Sequence, residues 1–257
     1  MLLAIDIGNT STSFGLFKDK NLVAHYHCMT TEYQTGEEHF FWLRDQMDMN
    51  KLDYLGIKNV ILASVVPTMT IKLIEASESH LGLFPLVVGD KNIKLGLSIE
   101  VDCPEEVGAD RIVNAIAAMD KVKPPAVVID FGTATTFDVI DAHGNYCGGA
   151  ISPGIQLSID ALSSKAAKLP DIELKMPDNI IGRNTVDAMR SGLFFGYISL
   201  IEGMVDRYRK VFSSGLTVIA TGGYASLFVE HTDVIDQVVP ELTLDGLRLI
   251  FEMNQED

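Results

Sequence analysis

Little in this chain suits a membrane, a nucleic acid or an oxidising compartment. No apolar run reaches the ~18 residues that a membrane-spanning helix needs, because Asp and Lys interrupt every stretch. Basic residues are scarce: 20 Lys and Arg against 35 Asp and Glu leave a net charge of −15, which repels a phosphate backbone and disfavours nucleic-acid partners. Three cysteines, Cys28, Cys103 and Cys147, are too few and too widely spaced for a disulfide framework or a metal site, so a reducing compartment is expected. The chain starts on the strand-like Leu2–Ile5 without a basic stretch or cleavage site, which predicts a cytoplasmic protein. Neither a Gly-x4-Gly-Lys-Ser/Thr loop nor a Gly-x-Gly-x-x-Gly fingerprint occurs, and the six His are scattered. These absences remove the two commonest nucleotide-binding devices and a His-rich metal centre.

What is present is one short pattern, used twice. Leu3-Ala4-Ile5-Asp6-Ile7-Gly8-Asn9-Thr10-Ser11-Thr12 is matched by Val127-Val128-Ile129-Asp130-Phe131-Gly132-Thr133-Ala134-Thr135-Thr136. Each is an apolar strand running into Asp-x-Gly, then hydroxyl-bearing residues, then further apolar sequence. Asp130 lies 124 positions after Asp6, close to half of the 257 residues. An Asp at a strand end can hold a divalent cation directly or through water. A Gly admits a phosphate close to the backbone, and turn N–H groups and short hydroxyls donate to its oxygens. A plain hairpin turn is the alternative for either copy alone; two copies at half-chain spacing point to two lobes facing one phosphate.

Strand and helix patterns alternate along the chain. Leu2–Ile5 and Ser13–Phe17 read as a hairpin, with strands also at Leu22–Met29, Val60–Val65 and Leu86–Val88 and helices at Glu37–Met47 and Thr70–Ser77. Pro104 is expected to open a helix that runs on through Arg111, with Glu105 and Glu106 in its first turn. Lys123-Pro124-Pro125 is the clearest linker, which gives lobes of 1–122 and 123–257. The second lobe restarts with a strand pair at 126–140 and a turn at His143-Gly144-Asn145. Gly148 to Gly154 is expected as a tight loop before a helix, Ile155–Leu162, and Pro170–Pro177 as a loop. Asn184–Val211 reads as one long helix carrying Ser191, Gly192, Gly196 and Gly203. Each mid-helix Gly costs about 1 kcal/mol, so another backbone is expected against this stripe, from the same chain or from a second copy. Thr217–Ala220 and Asp233–Val239 are strand candidates, and Leu242–Met253 a final helix.

Five motifs come in order: Asp6-Ile7-Gly8-Asn9-Thr10, Gly108-Ala109-Asp110-Arg111, Asp130 to Thr136, Gly148-Gly149-Ala150-Ile151-Ser152-Pro153-Gly154, and Thr221-Gly222-Gly223. Together they resemble the type III pantothenate kinases, members of the actin/sugar-kinase/chaperone ATPase superfamily, over essentially the whole chain. The resemblance implies an α/β fold of two ribonuclease-H-like lobes with the nucleotide cleft between them. It implies ATP-dependent phosphorylation of pantothenate to 4′-phosphopantothenate, the first step of coenzyme A synthesis, by a homodimer that requires Mg2+ and a monovalent cation, K+ or NH4+. Asp6, Ile7, Gly8, Asn9, Thr10, Ser11, Thr12 and Ser13 would form the first phosphate hairpin, with Asp6 holding Mg2+ directly or through water. Asp130 resembles the ligand of the monovalent cation, and Thr133, Gly222 and Gly223 further ATP contacts. Gly108, Ala109, Asp110 and Arg111 would line the pantothenate site with Asp110 as general base, and Thr185 matches a substrate-contacting Thr.

The residues themselves support this role for Asp110: a carboxylate can orient a primary alcohol and accept its proton late in phosphoryl transfer. The competing reading is a helix-start charge paired with Arg111, and Arg111 could bind a substrate carboxylate or be a surface charge. One departure is Val101-Asp102-Cys103-Pro104, where many family members have a Tyr; Ser11 likewise stands where Asn is common. The remaining alternatives are a non-catalytic regulatory member of the same fold, or another small-molecule kinase of the superfamily. Retention of Asp6, Asp110 and Asp130 favours the enzyme.

Overall fold

The computed structural model describes residues 1–31, 33–165, 169–212 and 215–255. In chain order the strands and helices are β1 (Leu2–Ile7), β2 (Ser11–Lys18), β3 (Asn21–Met29), α1 (Gly36–Met49), β4 (Asn59–Ser64), α2 (Pro67–Leu81), β5 (Leu86–Val87), α3 (Ala109–Lys121), β6 (Ala126–Phe131), β7 (Ala134–Ile140), β8 (Tyr146–Pro153), α4 (Ile155–Lys165), α5 (Thr185–Val211), β9 (Thr217–Gly222), α6 (Ala225–Val229), β10 (Gln237–Val238) and α7 (Leu242–Met253). They form two compact units, each around its own sheet.

The first sheet has strand order β3-β2-β1-β4-β5, with β1 antiparallel to β2 and parallel to β4. The second repeats this arrangement as β8-β7-β6-β9-β10, with β6 antiparallel to β7 and parallel to β9. Both central strands, LLAIDI and AVVIDF, are apolar and buried except at their Asp, because each has a strand on either side and both faces covered. The edge strand β3 alternates exposed and half-buried residues instead. Short-range chemistry sets the helix ends. Thr35 and Glu38 form a reciprocal capping box at the start of α1, Pro67 opens α2, Gly82 closes it at φ 67°, and Asn184 caps α5 by accepting the Asp187 N–H.

The units do not follow the two consecutive blocks expected from sequence. From Glu241 onward the chain belongs to the first unit, and Ile99–Val101 belongs to the second. Helix α7 packs on β1, β2 and β4. Its Leu242, Leu244, Leu247 and Ile250 are at most 2 % exposed, and each such burial contributes about 1.5–3 kcal/mol. Gly246 allows close approach to α3, since a Cβ there would lie 2.3 Å from the Val113 carbonyl oxygen. Thr243 donates to Asn114 Oδ1 at 2.7 Å and joins the two helices. Ile99–Val101 runs beside Tyr146 instead, where the Glu100 N–H donates to the Tyr146 carbonyl at 2.8 Å.

Three local expectations are corrected. Pro104–Glu106 is a single 3-10 turn, Val107 returns to extended backbone, and α3 begins only at Ala109. Gly148 to Pro153 is not a loop but most of strand β8. Gly148 takes φ 91°, and Gly149 serves close approach, since a Cβ there would lie 1.7 Å from the Phe137 carbonyl oxygen of the neighbouring strand. Of the strand expected at Asp233–Val239, only Gln237–Val238 pairs.

Candidate active site

In the first unit, Asp6 lies one residue before the end of β1, in register with Ser13 on β2 and Ala63 on β4. The hairpin turn is Gly8-Asn9-Thr10. The Gly8 N–H donates to the Ser11 carbonyl at 3.0 Å, and the Thr30 N–H to the Thr10 carbonyl at 2.9 Å. Asn9, Thr10 and Ser11 are exposed at the tip, and Asp6, Gly8 and Ser13 are half-buried. Ile7 and Thr12 are fully buried. The Thr12 hydroxyl is paired with that of Thr30 at 2.8 Å, so in the hairpin it braces β3.

The Gly108-Ala109-Asp110-Arg111 motif reaches the same end of this sheet. The Val65 N–H, just past β4, donates to the Ile7 carbonyl at 3.0 Å, and a Cβ on Gly108 would lie 3.7 Å from Val65 Cγ1. Gly108 also faces the Asp110 carboxylate: its Cβ would stand 2.5 Å from Asp110 Oδ1, so glycine makes room for the acid. Asp110 occupies the first turn of α3 and accepts the Arg111 N–H at 2.9 Å. Burial pushes its carboxyl above the ordinary carboxylate range, against the opposing pull of the Arg111 N–H and guanidinium. The helix-start reading has a counterpart in the structure, since Asp110 Oδ1 is engaged locally by the Arg111 N–H.

In the second unit, β6 and β9 run side by side so that Asp130 pairs with Thr221 and Phe131 with Gly222. Two motifs separated in sequence therefore meet. Gly222 has φ 89°, and a Cβ on it would lie 2.7 Å from Asp130 Oδ1. Gly132 stands on the other side, with its notional Cβ 3.6 Å from the same oxygen. The Asp130 carboxylate thus sits between two glycines. The hairpin here is tighter than the first: only Gly132 and Thr133 separate β6 from β7, and both are exposed. Gly154 backs this turn by donating its N–H to the Thr133 carbonyl at 3.1 Å, where a Cβ would approach that oxygen to 2.2 Å. Gly223 is exposed with open space beside it, and Thr185 is exposed as the first residue of α5.

Among the described residues no three of His, Cys, Asp and Glu gather as a metal cage. The donor set suits Mg2+ only in the manner of one carboxylate, Asp6, completed by waters and phosphate oxygens. Asp130 offers one further carboxylate, close to the Gly222 backbone. Sequence reasoning did not single out Gly154 as a support of the second hairpin, although it was within reach as the last residue of a recognised motif.

Comparison with known proteins bears on this arrangement. The family model for type III pantothenate kinases matches residues 2–207. A type III pantothenate kinase from Paramagnetospirillum magneticum is 51 % identical over 254 residues, spanning 99 % of this chain and 98 % of the relative. Among solved structures, a Campylobacter jejuni protein of the Baf transcriptional-activator family superposes with a TM-score of 0.61 at 20 % identity, covering 99 % of this chain and 100 % of the other. The activator of 2-hydroxyisocaproyl-CoA dehydratase from Clostridium difficile, solved with bound ADPNP, gives a TM-score of 0.57 at 12 % identity, covering 100 % and 97 %. At these identities the structural matches speak for the fold, which is the actin-like ATPase duplication.

Proposed function

As the chain belongs to the type III pantothenate kinase family, we propose that it transfers the γ-phosphoryl group of ATP to the primary hydroxyl of pantothenate. The observation that carries the mechanism is Asp110, held on the first turn of α3 with its carboxyl raised by burial. The substrate oxygen bonds to Pγ, the bond from Pγ to the β,γ-bridging oxygen breaks, and the hydroxyl proton passes to Asp110. The products are 4′-phosphopantothenate and ADP. Such transfers pass through a loose transition state, so positioning and charge stabilisation dominate over covalent chemistry. In the first unit the exposed backbone and hydroxyls of Asn9, Thr10 and Ser11 are suited to bind phosphate, and in the second unit those of Gly132 and Thr133.

Mg2+ would be held by Asp6 through its waters and would neutralise charge on the phosphate oxygens. Asp130 would take K+ or NH4+. This division answers an electrostatic difficulty: a carboxylate and a phosphate oxygen about 4 Å apart at an effective dielectric near 20 repel by ~4 kcal/mol, so each Asp beside the phosphates needs a counter-charge. Net charge of −15 sharpens that need.

The active form we propose is a homodimer. Gly192 and Gly196 are exposed on α5, and a Cβ built on either would meet nothing within 4 Å, which supports a second copy as the partner for that face. Thr185, at the head of the same helix, would contribute to the pantothenate site. No described helix is long and apolar enough to cross a membrane. The family's place in metabolism supports a cytoplasmic location. Purified protein given ATP, Mg2+, K+ and pantothenate should yield 4′-phosphopantothenate by mass spectrometry, in proportion to ADP. ADP release without that product would overturn the substrate, and no ATP turnover at all would overturn the enzyme.

A further inference from the structure

Tyr197, in the middle of α5, reaches the underside of the second hairpin. It is 7 % exposed, and its hydroxyl donates to the carbonyl of Pro153, the last residue of β8. The same oxygen lies 3.3 Å from Thr135 Oγ1 on β7, and Thr135 is itself buried. One phenol thus ties together the outgoing strand of the hairpin and the residue before Gly154. Gly154 in turn supports the turn by bonding to Thr133. The ring is fixed from behind, stacked on Phe228 at 5.6 Å and 17°, while Phe228 stacks on Phe131 at 5.2 Å. Phe131 directly follows Asp130. Both the polar and the aromatic contacts of Tyr197 therefore end on the segment that carries Asp130, Gly132 and Thr133.

We propose that Tyr197 is a positioning residue, which holds the Gly132–Thr133 turn and the Asp130 carboxylate in the arrangement that receives phosphate and the monovalent cation. The inference rests on the reading of that hairpin as part of the ATP site. It assigns a task to a buried hydroxyl that bonds to Pro153 and Thr135. Burial raises the phenol above its usual range, so it stays protonated and remains a donor at neutral pH.

Tyr197→Phe keeps the ring stack and removes only the hydroxyl, and two measurements without turnover read the result. Hydrogen exchange at the Gly132 and Gly154 amides should quicken roughly 3- to 10-fold, the equivalent of one neutral hydrogen bond. Calorimetric Kd for a non-hydrolysable ATP analogue in K+ should rise by a similar factor of about 3 to 10. In turnover assays the KM for ATP and the half-activating K+ concentration should rise in parallel, while the KM for pantothenate stays put. Thr135→Ser should behave as wild type, and Thr135→Val, which leaves the Pro153 bond in place, should show a smaller change of the same kind, with the double variant no worse than Tyr197→Phe alone. A folded Tyr197→Phe protein with unchanged amide exchange and unchanged analogue binding overturns the inference. So does a variant that only unfolds at lower urea concentration while binding the analogue normally. Should the wild type bind the analogue yet make no 4′-phosphopantothenate, the substrate assignment fails while the positioning role is still decided by the binding data.

Discussion

Replacing Asp110 by Asn separates what this carboxylate does for the reaction from what it costs the fold. Asn is nearly isosteric and keeps an Oδ1 acceptor for the Arg111 N–H at 2.9 Å, so the start of α3 should survive. What disappears is the negative charge that we propose accepts the substrate proton. Loss of a general base costs ~10²- to 10⁴-fold in kcat, or about 3–5 kcal/mol of transition-state stabilisation, and the KM for pantothenate should change little. Stability should move the other way. Burial holds the native carboxyl above the ordinary value of 3.8, so between 3.8 and that raised value the native state binds more protons than the unfolded one. In this window stability falls as pH rises, and above it the penalty for keeping the charge buried is constant. Asn never carries that penalty. The variant should therefore equal or exceed wild type in urea at neutral pH, with the difference shrinking as the pH falls toward 3.8. Wild-type activity should show an acid limb as Asp110 protonates, with a midpoint above the ordinary Asp value, and the residual activity of the variant should lack it. A folded variant with wild-type kcat removes Asp110 from the reaction. A variant clearly less stable than wild type at neutral pH refutes the burial argument.

Three other outcomes follow from named geometry. Gly222→Ala places a Cβ 2.7 Å from Asp130 Oδ1 at φ 89° and should cost at least about 1–2 kcal/mol in urea unfolding through backbone strain; ATP binding should fall with it, and a calorimetric Kd like wild type would refute the placement of Asp130. Asp130→Asn should raise the K+ requirement and the KM for ATP while leaving the Mg2+ dependence largely intact, and Asp6→Asn should do the reverse; equal loss of Mg2+ response in both, with no K+ effect in wild type, would refute the division. Gly196→Leu fills open space on a single copy, so it should leave the monomer folded but break the dimer and its activity together, as light scattering beside the kinase assay would reveal.

The central strands were legible because a strand paired on both sides and covered on both faces has to be apolar throughout, and LLAIDI and AVVIDF break that rule only at their Asp. The Asp-x-Gly turns were legible for the same reason: the departure stands out against the run. What was misread follows from the double meaning of Gly and Pro. Pro104 is a good first helical residue, but Val107 and Gly108 interrupt before a second turn can form, and the helix restarts where Gly108 leaves room for Asp110. Gly148 to Gly154 looks like a loop by composition, yet Gly149 and Gly154 are there for close approach within a paired strand and behind a turn. The apposition of Asp130 and Gly222 depends on the parallel register of β6 and β9, a long-range fact that no local pattern encodes. Tyr197 is invisible for a related reason, since its importance comes from what lies opposite one turn of α5.

The placement of α7 bears on how the molecule is made. Residues Lys121–Pro240 supply nearly all of the second unit as one stretch, and it needs from earlier sequence only the short Ile99–Val101 segment. The first unit, although begun first, lacks the cover over β1 and β4 until α7 has been synthesised. Emerging from the ribosome, the Asp6 hairpin and its sheet must wait with an apolar face open while the second unit is translated and folds. Order of synthesis and order of completion are therefore opposed: the unit that carries Asp6 and Asp110 is begun first and is closed only by α7.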